Sequence, residues 1–514
     1  MYYFNLILHL YIKDFNKGKK MITFLCSLVL LLIAYFTYGK FVEKTFGADP
    51  QRPTPAITNA DGVDFVPMST MKVFLIQFLN IAGLGPIFGP IMGALYGPAA
   101  FLWIIIGSIF AGGVHDYMSG MMSVRTGGKS IAEITGDYLG EPSRYAMLII
   151  SVILLLFVGV VFIVGPAALL ANLTFDDSGT GVFDGTIFGN TTFWIAIIFV
   201  YYFISTLVPI DKVIGKIYPF FGAVLMFMAF GVGGSMLYHG LNIPELTDIA
   251  SFTHPAGIPI WPALFFTISC GALSGFHATQ SPLMARTIKN EAFGRKVFYG
   301  AMITEAVIAM IWASVGMAYF PDGIQGLDGI QGLSDVLAQG GPGLVVNKIT
   351  VGYLGVAGGL LAILGVIVAP ITSGDTAFRS IRLTISDRFN MPQAKMMNRL
   401  LIAVPIFVIA FFITQIGFKS IWMYFTFSNQ LLSTFVLWTA AAYLYQHGRN
   451  FWIAALPGVF MSASLVGYVL TAKEFPFGLS HDIAVNSGFA TALVIMIFLL
   501  KLTFTRRIGS DIKK

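Results

Sequence analysis

Long apolar stretches separated by short polar loops run along almost the whole chain. A helix of about 20 apolar residues spans the hydrocarbon core of a bilayer, and on that measure the pattern predicts about thirteen membrane-spanning helices. No stretch between them is long enough to form a sizeable soluble domain. The pattern therefore predicts an all-α polytopic membrane protein.

One predicted helix is interrupted at its middle, in residues 80–90. The interruption contains, in chain order, Gly83, Gly85, Pro86, Gly89 and Pro90. Glycine loosens the backbone and proline removes an amide donor, so several backbone polar groups cannot be satisfied within the helix. Such a break is tolerated at membrane depth only where it is buried in protein or lines a polar cavity, and it therefore indicates a solute or ion site.

A second predicted helix is interrupted in residues 269–282, five hydrophobic segments further along the chain. Its small and polar residues include Ser274, Gly275, His277 and Gln280. An odd spacing gives the two broken helices opposite orientations, which is what two inverted repeats require. A single break is also typical of a packing kink, but a pair at matched positions favours a transport site. We expect the residues of both breaks to bind the solute.

The charges in the loops alternate along the chain. Basic residues follow predicted spans three, five, seven and nine, whereas the loops between them carry mainly acidic residues. The positive-inside rule places the basic loops, and with them the basic C-terminal tail, in the cytoplasm. Four lysines before the first span conflict with this topology. One resolution is that Met21 is the true start and residues 1–20 are an extension of doubtful status.

The composition agrees with a membrane protein. Of the 514 residues, 56% are hydrophobic and 11% are charged, against about 25% charged residues in soluble domains. The net charge of +6 is spread over short loops without an aromatic-rich basic platform, which argues against a nucleic-acid partner. The two cysteines, Cys26 and Cys270, lie in apolar segments, and no metal or cofactor motif is recognised.

Three carboxylates lie where contact with solvent cannot be assumed. Asp116 follows His115 near the end of span three, Glu305 lies within span eight, and Asp375 lies at the end of span nine. Burial disfavours the charged form of a carboxylate, so these three residues are predicted to take up and release a coupling proton. The alternatives are an interfacial position for Asp116 and a helix-face ion pair of Asp375 with Arg379.

Span eleven carries two neighbouring amides, Asn429 and Gln430. Amide side chains are costly in lipid and are expected to face the interior of the helix bundle. There they either bind the solute, as we expect of Asn429, or hold helices together.

These motifs together resemble the carbon starvation protein A family, a group of bacterial inner-membrane transporters in the amino acid, polyamine and cation superfamily. The matching residues are Asp49-Pro50, Thr54-Pro55-Ala56, Asp61-Gly62, Asp64, Val66-Pro67, Gly83, Gly85-Pro86, Gly89-Pro90, Gly271-Ala272, Ser274-Gly275-Phe276-His277, Glu305, Asp375, Arg379 and Asn429-Gln430. The resemblance implies uptake of peptides, as in some members, or of pyruvate with protons, as in others. Asp116 matches the family, whereas His115 stands where some relatives have glutamine.

We therefore predict a LeuT-like core of two inverted five-helix repeats. Residues 71–237 form the first repeat and residues 238–446 form the second. Residues 21–70 form a peripheral span with a proline-rich loop, and residues 447–514 form peripheral spans with a basic tail.

The predicted substrate site lies between the two breaks, where half-helix N-termini present amides to a carboxylate. The predicted partners are a small carboxylate-bearing solute, a coupling cation and the lipid bilayer, and the oligomeric state is left open. Proton symport is the first hypothesis for coupling. Sodium is the alternative, because Thr372 and Ser373 could join the carbonyls of residues from Ala82 to Gly85 as hard oxygen ligands. Against sodium, both hydroxyls could bond back to their own helix.

Two other classes of protein remain as rivals. A channel needs a continuous lining of polar or charged rings, which we do not find in the sequence. A membrane-embedded enzyme could use His115 and Asp116 as an acid-base pair, but no nucleophile or phosphate-binding motif accompanies them. The glycine-rich break does not follow a strand, as a dinucleotide-binding loop does. A transporter and not an enzyme is therefore predicted.

Overall fold

The computed structural model describes residues 21–511, apart from residues 63, 172, 174–182, 208–209, 249–251, 321–326, 390, 394 and 473–474. Within this described part the regular secondary structure is helical, with no β-strand. The prediction of an all-α protein is therefore confirmed.

Nineteen α-helices follow one another along the described residues. In the first half of the chain they are α1 (Ile22–Phe36), α2 (Tyr38–Phe46), α3 (Pro55–Thr58), α4 (Thr70–Ile81), α5 (Gly85–Gly93), α6 (Ala99–Ile106), α7 (Gly113–Arg125), α8 (Ile131–Leu139), α9 (Glu141–Ala171), α10 (Thr191–Leu207) and α11 (Ile210–Tyr238). In the second half they are α12 (Ile260–Thr267), α13 (Gly275–Ala285), α14 (Gly300–Ala318), α15 (Leu327–Arg388), α16 (Met396–Ile413), α17 (Phe418–Gln446), α18 (Trp452–Thr471) and α19 (His481–Asp511).

By length and composition, 9 helical stretches of the described chain could cross a membrane, or up to 10 with one bent pair. The bent pair is α4 with Gly85–Tyr96, which meet at 46° across the first interruption. Three further predicted crossings, α10, the α12 and α13 pair, and α17, are helical but fall outside these criteria. The chain is thus a multi-pass membrane protein, and the count of thirteen spans stays a prediction.

Helix α15 is not one straight rod. Its 62 residues would measure about 93 Å at 1.5 Å per residue, roughly three times the thickness of the hydrocarbon core. Non-helical dihedral angles at Gly340, Gly341 and Gly355 divide it. The part after Gly355 is therefore the one that reaches the buried centre of the protein with Thr372, Ser373 and Asp375.

Helix α9 lies against both interruptions. A Cβ on Gly83 would collide with the ring of Phe162, and a Cβ on Gly165 would collide with Leu84. The ring centroid of Phe162 is also 6.0 Å from that of Phe276 at the start of α13. Lipid is as apolar as a leucine side chain, so helices in a membrane associate through such close packing of small residues against large ones.

Helices α10 and α15 complete the packing around α9. The hydroxyl of Tyr202 lies 2.9 Å from the carbonyl oxygen of Phe162 and 3.0 Å from that of Pro370, so it connects all three helices. The rings of Phe378 and Phe407 stack at 4.4 Å and join α15 to α16. Large apolar side chains remain exposed on outer helices such as α1 and α16, where a bilayer would cover them.

The proline-rich loop between α2 and α4 is fastened to the rest of the protein at several points. The hydroxyl of Thr54 donates to the carbonyl of Ile288 at 2.6 Å, and the amide of Met68 donates to the carbonyl of Thr287 at 3.0 Å. From the sequence, this segment is predicted only as a proline-rich loop. We refer to residues 47–68 as the strap, because it covers the segment that follows α13.

A buried ion pair holds the strap down. The carboxylate of Glu291 is fully buried and accepts from the Arg125 guanidinium at 2.6 and 2.7 Å and from the amide of Asp49 at 2.8 Å. Arg125 also donates to the carbonyl of Gly47 at 2.7 Å. This network joins the end of α7, the strap and the segment after α13.

Replacement of Glu291 should therefore destabilise the protein. In a Glu291→Gln variant the Arg125 charge loses its counter-ion in a buried site, which typically costs about 3 kcal/mol or more. We expect a lower apparent melting temperature of the purified protein in detergent. A Glu141→Gln variant is the control, because that carboxylate is 62% exposed in its pair with Arg144. Equal melting temperatures for the two variants would contradict the role of the network.

Candidate functional site

The two interruptions lie in direct contact. A Cβ on Gly85, the first residue of α5, would collide with the side chain of Cys270, and one on Gly89 would come within 3.0 Å of the Thr267 carbonyl oxygen. A Cβ on Gly93 would collide with Ile268. These three glycines are spaced four residues apart and lie on one face of α5. This glycine face packs against the segment between α12 and α13.

Side chains from other helices satisfy the backbone of the second interruption. The indole of Trp103 donates to the carbonyl of Ile268 at 2.8 Å, and the hydroxyl of Ser108 donates to the carbonyl of Gly271 at 3.2 Å. Gln430 donates to the carbonyl of Phe265 at 2.7 Å. This contact between α17 and α12 agrees with the expectation that buried amides hold helices together.

Asn429 caps the start of α13. Its side-chain carbonyl accepts from the amide of Phe276 at 2.8 Å and from the hydroxyl of Ser274 at 3.2 Å. Its amide nitrogen lies 3.8 Å from the sulfur of Cys270. These contacts fix the half-helix on which His277 lies, and the role of Asn429 in binding the solute stays a prediction.

Four ionisable side chains form one continuous chain beside the second interruption. His115 Nδ1 lies 2.8 Å from Asp116 Oδ1, and His277 Nδ1 lies 2.8 Å from Asp116 Oδ2. His277 Nε2 lies 3.4 Å from Glu305 Oε2. All four side chains have no exposure to solvent. We call this arrangement the His-carboxylate chain.

The geometry limits where protons lie in the His-carboxylate chain. A carboxylate only accepts hydrogen bonds, so an ionised Asp116 requires Nδ1-H on both histidines. His277 Nε2 then faces Glu305 Oε2 at 3.4 Å. A proton between these two groups would lie either on the carboxyl group or on an imidazolium, and Asp116 would keep both of its hydrogen bonds in either case.

Wide helical turns precede the two helices that carry Asp116 and Glu305. Residues Gly107–Gly112 and Arg295–Tyr299 are π-helical, directly before α7 and α14. The hydroxyl of Tyr299 donates to the carbonyl of Ile109 at 3.1 Å and joins the two turns. Such turns shift the register of a helix and are frequent at functional sites. They help to direct Asp116 and Glu305 toward the same histidine.

Asp375 lies in a separate cluster. Its carboxylate is 3.7 Å from the guanidinium of Arg379, one helical turn later, and both side chains are buried. Arg379 also donates to the carbonyl of Ser205 in α10 at 2.8 Å. The alternative interpretation as a helix-face ion pair therefore describes this residue, and the structure does not bring it into the His-carboxylate chain.

The two hydroxyls of the sodium hypothesis behave differently. Thr372 donates to the carbonyl of Ala369 in its own helix at 2.7 Å. Ser373 lies 3.0 Å from the same carbonyl and also 3.0 Å from the carbonyl of Leu79, in the last turn before the first interruption. Ser373 therefore reaches across to the broken helix, where Ala82 caps the C-terminal end of α4.

The remaining predicted residues line the same region. Pro86 lies opposite Gly271, whose φ of +91° is one that glycine adopts without strain. The amide of Gln280 donates to the hydroxyls of Thr279 at 3.0 Å and Ser380 at 3.4 Å, so it links α13 to α15. Among the described residues, no group of three or more His, Cys, Asp or Glu has the geometry to hold a metal ion.

Sequence reasoning missed the connection between the ionisable residues. It predicts Asp116 and Glu305 as separate proton sites and His277 as a substrate ligand, whereas His277 bridges the two carboxylates. The available signal was that all three are ionisable residues within apolar segments, where partners are expected.

Interrupted helices in contact at the centre of a multi-pass helical protein, with buried ionisable groups beside them, define a membrane transporter. The family model described as Carbon starvation protein CstA matches residues 19–184 and 178–325. The chain belongs to this family, as the resemblance of its motifs predicted.

Curated relatives agree with this assignment. An uncharacterized membrane protein of Haemophilus influenzae is 45% identical over 366 residues, which cover 63% of this chain and 96% of that protein. The pyruvate/proton symporter BtsT of Escherichia coli is 30% identical over 348 residues, or 56% of this chain and 48% of BtsT. The peptide transporter CstA of Escherichia coli is 25% identical over 560 residues, covering 86% of this chain and 80% of that protein. The matched region thus spans about half the length of BtsT, and the relatives with functional names are transporters, not enzymes.

The contact between the interruptions gives a paired prediction. A Gly85→Ala variant should lose most solute uptake while remaining inserted in the membrane, because its Cβ would collide with Cys270. A second change, Cys270→Gly, removes the colliding atoms and should restore part of the uptake. The readout is uptake of labelled pyruvate and of a labelled dipeptide, normalised to protein in the membrane.

The control for this pair is Gly234→Ala, because no atom lies within 4 Å of a Cβ at that position. This variant should behave as the parent protein does. Full uptake by Gly85→Ala alone would contradict a functional contact between the two interruptions.

Proposed function

We propose that this protein is a secondary active transporter that imports small carboxylate-bearing nutrients, peptides or pyruvate, together with protons. The observation that carries the proposal is the buried His-carboxylate chain, which lies directly beside the second interruption. The names of the relatives support both solute classes, and the family name supports a role in carbon starvation.

The proposed architecture is a LeuT-like core of two inverted five-helix repeats, residues 71–237 and 238–446. Its support is that α4 with α5 and α12 with α13 are broken at corresponding positions and meet at their breaks. The proposed topology follows the positive-inside rule, with the protein in the bacterial inner membrane and its C-terminal tail in the cytoplasm.

The proposed substrate site lies where the amide ends of α5 and α13 approach each other. A helix N-terminus carries a partial positive charge and favours an anion, so a solute carboxylate would bind there. Both peptides and pyruvate carry such a group. Solute entry then requires α5 to separate from the chain around Cys270, since the two are in contact.

Protonation couples to this movement through α13. His277 lies in the first turn of α13, and its Nε2 lies 3.4 Å from Oε2 of Glu305 in α14. Gain or loss of a proton by this pair changes the attraction between the two side chains, and with it the attraction between the half-helix and α14. We propose that one proton crosses by this route with each solute molecule.

Neutral replacements of the two carboxylates test this assignment. With one proton per solute, an inward pH gradient of one unit concentrates the solute about tenfold. Glu305→Gln and Asp116→Asn variants should lose this accumulation while still exchanging internal for external solute. The measurement is uptake of labelled pyruvate and dipeptide into proteoliposomes with and without the pH gradient.

The exchange reaction separates loss of coupling from loss of fold. A Glu133→Gln variant is the matched control, since that carboxylate is 27% exposed and pairs with Arg144 at 3.6 Å. It should accumulate solute as the parent does. Proton-driven accumulation retained by both Glu305→Gln and Asp116→Asn would exclude these residues as the coupling groups.

Sodium coupling is the second candidate, and the position of Ser373 favours it. The Ser373 hydroxyl and the Leu79 carbonyl oxygen lie 3.0 Å apart across two helices, and a small cation prefers hard oxygen ligands of this kind.

Sodium coupling predicts that an inward sodium gradient at fixed pH raises uptake, and that a Ser373→Ala variant removes the increase. Ser464→Ala in α18 is the control, because that buried serine is remote in the chain from both interruptions. Uptake by the parent protein that is indifferent to sodium would eliminate this candidate and leave the proton route.

A further inference from the structure

A narrow cleft runs between α13 and α15, from the second interruption toward the strap. One side is formed by Thr279, Pro282, Leu283 and Arg286, and the facing side by Ser380, Leu383, Thr384 and Asp387. The serines Ser130 and Ser151 close its third side. Within each of the two facing sets the successive residues are three, one and three positions apart, which places them on one face of a helix.

The two faces end in opposite charges. Arg286, the residue that ends α13, lies 3.2 Å from the carboxylate of Asp387 near the end of α15. The Arg286 side chain is 9% exposed and that of Asp387 is 35% exposed, so the pair lies at the mouth of the cleft. Arg286 is also held by a hydrogen bond to the carbonyl of Gly128 at 3.0 Å and by the ring of Phe65 in the strap, 5.2 Å away.

The interior of the cleft is polar where a helix-helix contact in a membrane protein is usually apolar. Ser151 is 2% exposed, and no hydrogen-bond partner of its hydroxyl lies within reach among the described residues. Ser380 is 3% exposed. Among the described residues, its hydroxyl accepts a single long hydrogen bond, of 3.4 Å, from the side-chain amide of Gln280. Buried hydroxyls in proteins normally have hydrogen-bond partners. Hydroxyls without strong partners inside a cleft therefore indicate a site for a bound ligand.

We infer that this cleft is a second binding site for the carboxylate of the transported solute, on the path between the interruptions and the cytoplasm. The inference rests on the proposed function. Hydroxyl groups and a guanidinium are donors that suit a carboxylate, and an arginine side chain can bind one through two parallel hydrogen bonds. Asp387 forms an ion pair with Arg286 when solute is absent, and the solute carboxylate displaces it.

The width of the cleft explains why a charge pair lies at its mouth. In the present conformation it has room for only about one or two water molecules. A solute enters once α13 and α15 move apart, and that movement separates Arg286 from Asp387. The incoming carboxylate then replaces the lost partner of Arg286, so the guanidinium is never left without a counter-ion.

The first experiment labels the cleft with a thiol reagent. In a Cys26→Ser background, which leaves only the buried Cys270, a Ser151→Cys variant of the full chain is reconstituted into vesicles and treated with a membrane-impermeant maleimide. We expect labelling that saturating pyruvate or dialanine slows. Thr384→Cys is a second reporter on the facing helix, and Ser464→Cys is the control at a serine that is also fully buried but lies outside the cleft.

The second measurement tests the competition for Arg286. An Asp387→Asn change in the Ser151→Cys background replaces a charged hydrogen-bond acceptor with a neutral one. This change should weaken the competition of residue 387 with the solute for Arg286 by about fivefold. The pyruvate concentration that gives half-maximal protection should fall by about that factor. A merely structural role of Asp387 would leave this concentration unchanged.

Uptake by the parent protein in the same vesicles separates the two proposals. If the parent accumulates pyruvate or dialanine but neither reporter is labelled, or labelling is not slowed by the solute, the cleft is not a binding site and the proposed function stands. An unchanged half-protecting concentration in Asp387→Asn also overturns the inference. If the parent accumulates no solute with a proton gradient, the proposed function fails, and this inference fails with it.

Discussion

A polypeptide backbone that is interrupted at membrane depth must have its polar groups satisfied by protein, because lipid offers none. In this protein the second interruption meets that requirement through side chains from three other helical regions, with Trp103, Ser108 and Asn429 bonded to its backbone. The glycine face of α5 covers the same segment. The arrangement of the central helices follows from this one requirement, because each of them supplies a donor, an acceptor or a close-packed surface.

The same enclosure gives the ionisable residues their properties. Polar side chains at the interruption are withdrawn from both water and lipid, so a carboxylate there needs partners within the protein. Asp116 obtains two histidines, and Glu305 obtains one of the same two. Because His277 belongs to α13 and Glu305 to α14, the contact between these two side chains lies between a half-helix and its neighbour.

The sequence alone was sufficient for the features that depend on composition and local pattern. Hydrophobic segments predicted the helical class, and glycine, proline and small polar residues predicted where α4 and α12 end. Contacts between distant helices could not be predicted in this way, because no periodicity states which faces meet. Thus the contact by which Asn429 caps α13 was not predicted, and the strap gave no signal of its attachment to Glu291. The spacing of Thr279 to Arg286 and of Ser380 to Asp387 was visible, but its meaning depends on those two helices being neighbours.

The partners of the buried carboxylates separate those that can exchange protons from those that serve as fixed charges. Arginine does not lose its proton in proteins, so Arg379 stays charged beside Asp375 and suits a structural connection between α15 and α10. Histidine changes its charge near neutral pH, so a carboxylate paired with it can alternate between states. On this argument the chain of His277 with Asp116 and Glu305 is the better candidate for coupling, and the coupling role of Asp375 stays a prediction. Arg286 follows the same rule at the mouth of the cleft, where a permanent cation requires a carboxylate in every state and can obtain it either from Asp387 or from the solute.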